Sequence, residues 1–362
     1  MVVTGQPRTA AGSPAWFAHS AARDWTCAPA PAEVADFHAA LPGYAATPLT
    51  ELPALAARLG VGRVLVKDES SRLGLPAFKA LGASWAVHRV LAARAAGEPV
   101  LLVTATDGNH GRAVARMAAL RGQRAQVFVP RGVPPSAVAA IVAEGAQVTE
   151  VAGSYDDAVR QAGAAATADP GAVLVQDTAW PGYEQVPGWI VQGYATLFLE
   201  LDAQLGAESP ALVVVPVGVG SLAQAAVTHY RARPGGRATA LLSVEPDTAA
   251  CVLASLRRNR PVSVPTGTTT MAGMNCGTPS SLAWPYLRQG LDAAIAVTDR
   301  DSAAAVRELA ELGVSCGPCG AAALAGADAA LTGLGSTRRR ADLGLGPTAT
   351  VVLLSTEGRT AT

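Results

Sequence analysis

Between about residue 60 and residue 250 the chain alternates short apolar runs with longer stretches whose apolar residues recur at helical spacing. RVLVKDE (63–69) reads as a short strand with a polar end, and Ala77 to Ala96 follows as a helix rich in Ala, Leu and Val, closed by Gly97. The pattern then repeats, with PVLLVTAT (99–106) as a strand, GRAVARMAALRG as a helix closed by Gly122, and AQVFVP (125–130) as a strand. SAVAAIVAEGA with QVTEV, and DDAVRQAGAAATA with AVLVQD (172–177), add two further units. A long helix from about Pro187 leads to the strand ALVVVPV, the helix SLAQAAVTHYRA and the strand ATALLSVEP. Strands that are apolar throughout are covered on both faces, so the pattern predicts an α/β fold built on parallel sheets. Ligands of such sheets bind at the C-terminal ends of the strands, and each polar cluster considered below lies at or near one of those ends. PTGTTTMAGMNCGTPSS (265–281) reads as a loop, and RRRADLGLGPT near 338 as a solvated surface connection.

Composition narrows the function classes. Half of the 362 residues are hydrophobic, 15% are charged and the formal net charge is zero, which argues against nucleic acid and acidic membranes as partners. The length suits two sub-domains or one large domain. MVVTGQPRTAAGSPAWF lacks a basic segment followed by a sustained apolar run, so the expected location is cytoplasmic. The longest apolar stretch, from Ala211, is broken by Pro216, Gly218 and Gly220 and does not read as a membrane span.

Free thiols are expected at Cys27, Cys251, Cys276, Cys316 and Cys319. Cys316-Gly-Pro-Cys319 has the spacing of a redox dithiol, yet no thioredoxin-sized unit surrounds it, and a glycine-rich turn near a pocket is the stronger reading. No histidine stands at metal-site spacing from this pair, so no metal is expected.

The chain has two lysines, Lys67 and Lys79, against a background of arginines. Lysine can lose a proton and form a Schiff base with a carbonyl, which guanidinium cannot. Lys67, followed by Asp68 and Glu69, reads as a surface residue. Lys79 lies between Phe78 and Ala80 at the start of an apolar helix, where burial would lower its pKa toward a reactive amine.

Two loops join strands to helices. Thr104 to Gly111 (TATDGNHG) can hold an anion on backbone N–H groups, or simply cap the next helix, and its Asp107 suggests an ammonium partner or a base. Gly218 to Ala223 (GVGSLA), with Glu245 ending the next strand, satisfies the G-x-G-x-x-A dinucleotide form, but the same turn would hold a single phosphate. A nicotinamide oxidoreductase stays open on this stretch alone.

AFKALGA, TDGNHG, GVGSL and LLSTEG occur in the order found in fold-type II pyridoxal-phosphate enzymes, the group of tryptophan synthase β and threonine dehydratase. More closely, KDES..RLGLPAFKALGASWA, ATDGNHGR, VQDTAW.GY, EPDTAACV, TTTMAGMNCG and STEG resemble the diaminopropionate ammonia-lyase family, from about residue 45 to 360. The resemblance implies two parallel-sheet α/β domains with the active site in the cleft between them: a large one from 1–87 and 187–362, and a small mobile one from 88–186.

It also implies pyridoxal 5'-phosphate as cofactor, with Lys79 as its Schiff-base lysine beside Phe78 and Asn109 as partner of its 3-hydroxyl. The backbone of Gly218, Val219, Gly220, Ser221 and Leu222 matches the phosphate site, and Ser355 the hydroxyl facing the pyridine nitrogen. A neutral hydroxyl there favours elimination over transamination. Asp107 and Asp177 match two active-site aspartates that move protons and recognise ammonium groups, in a substrate pocket shared with Thr106, Gly108 and His110. Asp107 is assigned to the D-substrate and Lys79 to the L-substrate.

The implied reaction is α,β-elimination of 2,3-diaminopropionate to pyruvate and ammonia via aminoacrylate, by a homodimer. The alternatives are a β-replacement synthase, a hydroxyamino-acid dehydratase and a non-catalytic pyridoxal-phosphate carrier. Three departures stand out: Pro181 where the family usually has glutamate, Gly317-Pro318-Cys319-Gly320 in place of a glutamate-serine pair, and RTAT after Gly358. Cys251 and Cys276 match cysteine positions of relatives, where a bond can form, with reduced thiols the cytosolic expectation.

Overall fold

The computed structural model describes residues 14–95, 97–106, 108–232 and 238–359. Its strands are β1 (Trp16–Ala18), β2 (Leu49–Glu51), β3 (Arg63–Asp68), β4 (Leu101–Ala105), β5 (Arg124–Pro130), β6 (Gln147–Val151), β7 (Ala172–Leu174), β8 (Leu212–Pro216), β9 (Ala240–Pro246), β10 (Ala293–Val297) and β11 (Thr350–Ser355). They form a seven-stranded sheet, β1-β10-β9-β8-β11-β3-β2, and a four-stranded sheet, β6-β5-β4-β7. The smaller sheet is parallel throughout, as its apolar strands predict. The larger is parallel from β10 to β3, as expected, and adds two antiparallel edges, β1 and β2. Both edges are three residues long and partly exposed, too short and too polar to stand out as apolar runs.

Every residue of β8, β9, β10 and β11 is buried, because both faces of this sheet are covered. Val213 and Val215 join one core with Ala223 and Val227 of the helix Ser221–Arg231, while Leu212 and Val214 join the other with the alanine-rich helix Pro318–Leu331. The helix Lys79–Ala92 packs against both Gln185–Gly193 and Asn109–Leu120 and so joins the two sheet layers. Its approach to the first requires glycine on both sides. A Cβ at Gly193 would lie 2.5 Å from the Leu81 carbonyl oxygen, and one at Gly82 2.6 Å from the Tyr194 ring.

Three expected elements differ. The long helix from Pro187 is two helices, Gln185–Gly193 and Ala195–Leu205, meeting at Tyr194. The strand AVLVQD stops at Leu174, because Gln176 leaves the ladder: its backbone N–H donates to Tyr183 Oη (2.9 Å) and its side-chain carbonyl accepts from Ala105 N (2.9 Å). The segment near 338 is the helix Ser336–Leu343, whose Arg339 is buried and donates to the carbonyls of Ala330 (3.1 Å), in the last turn of the preceding helix, and Leu334 (2.9 Å), in the turn that follows it.

Lys67 is fully buried, against its surface assignment. Its ammonium donates to Thr47 O (2.8 Å), Gln204 Oε1 (2.9 Å) and Glu200 Oε2 (2.8 Å). Glu200 and Glu69 both grip the equally buried Arg72, so two cations and two carboxylates balance inside the protein. This network anchors the turn that leads to Lys79. The end of β11 stitches the same turn from the other side, with Phe78 N donating to Thr356 O (3.2 Å) and Gly358 N to Pro76 O (2.9 Å). Among the described residues no helix is long and apolar enough to cross a membrane.

Candidate active site

Lys79 is the first residue of its helix, and its side chain enters a cavity of about 500 Å³ that is lined from both sheet layers. There its ammonium donates to Oδ2 of Asp177, a residue of the loop after β7. Burial alone would lower the lysine pKa, as the sequence suggested, but the Asp177 carboxylate outweighs it and the pKa is raised. Burial likewise works to raise the Asp177 pKa, and the charge of Lys79 overcomes this and holds it at about 2. The amine is therefore stored as an ammonium, and it must pass a proton on before it can act as a nucleophile.

The backbone oxygen of Asp177 accepts from Ser221 Oγ (2.8 Å), which ties the pair to the loop Gly218–Leu222. All five loop residues line the cavity. Gly220 must be glycine, since its φ is +104° and a Cβ would lie 2.5 Å from Leu287 Cδ1. The helix Ser221–Arg231 starts here with no side-chain cap, leaving the first-turn N–H groups for a ligand.

Thr106, Gly108, Asn109 and His110 form the facing wall. Thr106 Oγ1 accepts from Gly108 N (2.9 Å). His110 Nε2 donates to Val175 O (2.7 Å), so its lone pair is on Nδ1, 3.9 Å from Asp177 Oδ2, and burial lowers its pKa, keeping the ring neutral. Asp107 lies outside the described residues. The Phe78 ring centroid is 5.3 Å from Lys79 Nζ. Ser355 does not line the cavity, which Thr356 and Glu357 beside it do, and its buried Oγ faces the Cys316 thiol.

Glu357 was missed in the sequence, although it belongs to the STEG motif. It lines the cavity, its Oε2 accepting from Asn109 Nδ2 (2.8 Å) and its Oε1 from Cys319 N (3.2 Å), and burial pushes its pKa up. The available signal was an acidic residue two positions beyond an apolar strand. Glu245 has a different task from the one a dinucleotide site would give it. It is fully buried and accepts from Val252 N and Leu253 N (both 2.7 Å), capping the helix Cys251–Arg258, with burial raising its pKa to about 8.

All five cysteines carry free thiols. Burial raises the pKa of both Cys316 and Cys319, the first to about 12, the opposite of an activated redox dithiol.

Residues 40–356 match the family model of the pyridoxal-phosphate dependent enzymes. The chain is 40% identical over 293 residues to the diaminopropionate ammonia-lyase of Salmonella typhimurium, covering 74% of this chain and 72% of that protein. The crystal structure of holo diaminopropionate ammonia lyase from Escherichia coli is similar, with a TM-score of 0.86 and 32% identity over 96% of this chain and 94% of that one. The Escherichia coli enzyme in complex with an aminoacrylate-PLP azomethine reaction intermediate superposes with a TM-score of 0.84, at 32% identity and over the same shares of the two chains.

Proposed function

Because the chain belongs to the family of pyridoxal-phosphate dependent enzymes, we propose that it acts as an ammonia-lyase on 2,3-diaminopropionate, turning one substrate and one water into pyruvate and two ammonia. Its cofactor is pyridoxal 5'-phosphate, and the cavity suits that group in two places. A lysine amine is available for the aldehyde, and an uncapped helix start with a glycine turn suits the phosphate. Lys79 would hold the cofactor through its amine, the N–H groups of Gly218 to Leu222 its phosphate, Asn109 its 3-hydroxyl and Ser355 its ring nitrogen. When bound, the cofactor supplies an electron sink for the bonds broken at the substrate's α- and β-carbons.

The protein's own residues handle charge and protons. Once its amine is engaged, Lys79 no longer neutralises Asp177, and the α-ammonium of the entering substrate is the natural replacement until it reacts. Asp177 is held ionised by the charge of Lys79 beside it, and a substrate ammonium in that place would keep it so. The lone pair of His110 Nδ1, 3.9 Å from that carboxylate, is a station for a proton leaving Lys79. Lys79, released when the substrate amine takes its place, serves as the base at the α-carbon of the L-substrate, and Asp107 serves the D-substrate from the other face.

The single observation that carries the reading is the Lys79–Asp177 pair facing the Gly218–Leu222 turn. Residues 88–186, which contain the smaller sheet, form in this proposal a mobile domain that closes over the site and excludes water until hydrolysis. A homodimer and a cytoplasmic location complete the proposal, tested by light scattering and cell fractionation. The activity is tested by pyruvate and ammonia release from L- and D-2,3-diaminopropionate, beside L-serine and L-threonine. Diaminopropionate turnover that Lys79→Ala abolishes is the expected result. Turnover of serine or threonine alone would overturn it.

A further inference from the structure

We infer that Glu357 receives the β-ammonium of the substrate and thereby sets the preference for diamino over hydroxyamino acids. The inference rests on the function proposed above and assigns a subsite within it. Consider the charges on the cavity wall among the described residues. Lys79 is paired with Asp177 until its amine is engaged, Arg112 is paired with Glu144, and Arg359 on the exposed rim forms no ion pair among the described residues. Glu357 has no cation within ion-pair distance among the described residues; its contacts are the Asn109 amide (2.8 Å), the Cys319 backbone N–H (3.2 Å) and the Cys319 thiol, all neutral. A carboxylate has about four lone-pair positions, so these donors leave room for one more. A buried charge without a counter-ion is costly, and an entering ammonium relieves that cost.

The geometry selects which substrate nitrogen this is. The α-amine is consumed in the bond to the cofactor, and the α-carboxylate is repelled by Glu357, so the β-ammonium is the cation that remains. Glu357 is placed for it, beside Asn109 and close enough to Lys79 to feel its charge.

The chemistry gives the contact a purpose. As the β-carbon–nitrogen bond breaks, its electron pair goes to nitrogen, and a group held as an ammonium departs as neutral ammonia without needing another proton. Serine offers only a neutral hydroxyl there, and its departure as water needs a proton that Glu357 does not provide in its ionised form.

The test measures binding constants of the holoenzyme for L-2,3-diaminopropionate and L-serine, from rapid-mixing changes in cofactor absorbance before turnover, together with KM and kcat. Wild type should bind diaminopropionate more tightly than serine. Glu357→Gln, which removes the charge and keeps an acceptor oxygen for only one of its two donors, Asn109 Nδ2 or Cys319 N, should weaken diaminopropionate about 10- to 100-fold and serine by less than about threefold. Glu357→Asp should recover part of the preference. Cofactor affinity of the apo-protein, read by fluorescence quenching, should fall much less than diaminopropionate affinity in both variants, and an equal fall would overturn the assignment in favour of a support for Asn109. Parallel losses for the two ligands, or no loss for diaminopropionate, would overturn the assignment and reduce Glu357 to a support for Asn109. A wild type that prefers diaminopropionate yet releases no pyruvate would refute the proposed reaction and leave this site standing, whereas a wild type without preference would refute the site.

Discussion

Replacing Glu200 by glutamine should destabilise the protein more than any exposed charge change. Glu200 is 6% exposed and accepts from Lys67 Nζ (2.8 Å), Arg72 Nη1 (2.5 Å), Arg72 Nη2 (2.7 Å) and Tyr44 Oη (2.8 Å). The glutamine leaves Lys67 and Arg72 facing Glu69 alone, an unbalanced positive charge in the interior. Removing one partner of a buried pair typically costs about 3–5 kcal/mol. At roughly 2.1 cal/mol/K per residue, the unfolding entropy of 362 residues is about 0.8 kcal/mol/K, so the melting midpoint should fall by roughly 4–7 °C. Thermal unfolding followed by circular dichroism measures this. Lys67→Met should also destabilise, but combining it with Glu200→Gln removes one charge of each sign and leaves Arg72 with Glu69. The double variant should therefore lose about 1 kcal/mol less than the sum of the singles, or better. Additive losses, or a midpoint drop below about 1 °C, would show that the four groups do not act as a balanced set.

A second prediction concerns pH. His38 is fully buried, bonded to Thr196 Oγ1 (2.6 Å) and Leu81 O (3.0 Å), and burial lowers its pKa to about 4. The unfolded chain binds this proton from about pH 6.5 downward and the folded one only near 4, so stability present above 6.5 is lost as pH falls, by about 3 kcal/mol in total. Denaturation in urea between pH 4 and 7 should show that slope, and His38→Gln should flatten it. Asp107→Asn should remove turnover of the D-substrate while sparing most of the L-activity; equal loss of both, measured as pyruvate release, would refute the division of faces.

What was legible in the chain was whatever neighbouring residues decide. The strands β3, β4, β5, β8 and β9 announced themselves because a parallel strand covered on both faces is a continuous local apolar run. Lys79 stood out because a lysine among arginines at the head of an apolar helix has few structural reasons to be there. Lys67 looked like a surface residue because Asp68 and Glu69 were the only partners in view, while Glu200, which shares its burial, is 133 positions away. The pKa of Lys79 was expected to move in the wrong direction for the same reason, since burial is foreshadowed locally and the carboxylate of Asp177, 98 positions on, is not. Glu357 meets Asn109 across 248 positions, and its place two residues beyond β11 was the one local sign of the cavity.

The position of β11 between β3 and β8 has a consequence for how the protein is made. A ribosome releases β3 early and β11 last among the described strands, so the larger sheet must wait, in two unjoined parts, for its middle piece. The smaller sheet comes from one unbroken stretch, Leu101 to Leu174, and can assemble while synthesis continues. A chain cut short before Thr350 would lack the clasp around Pro76 and Phe78, expose two open strand edges and leave Lys79 on an untethered turn. Such a copy would present open edges to other chains and hold no anchored Lys79.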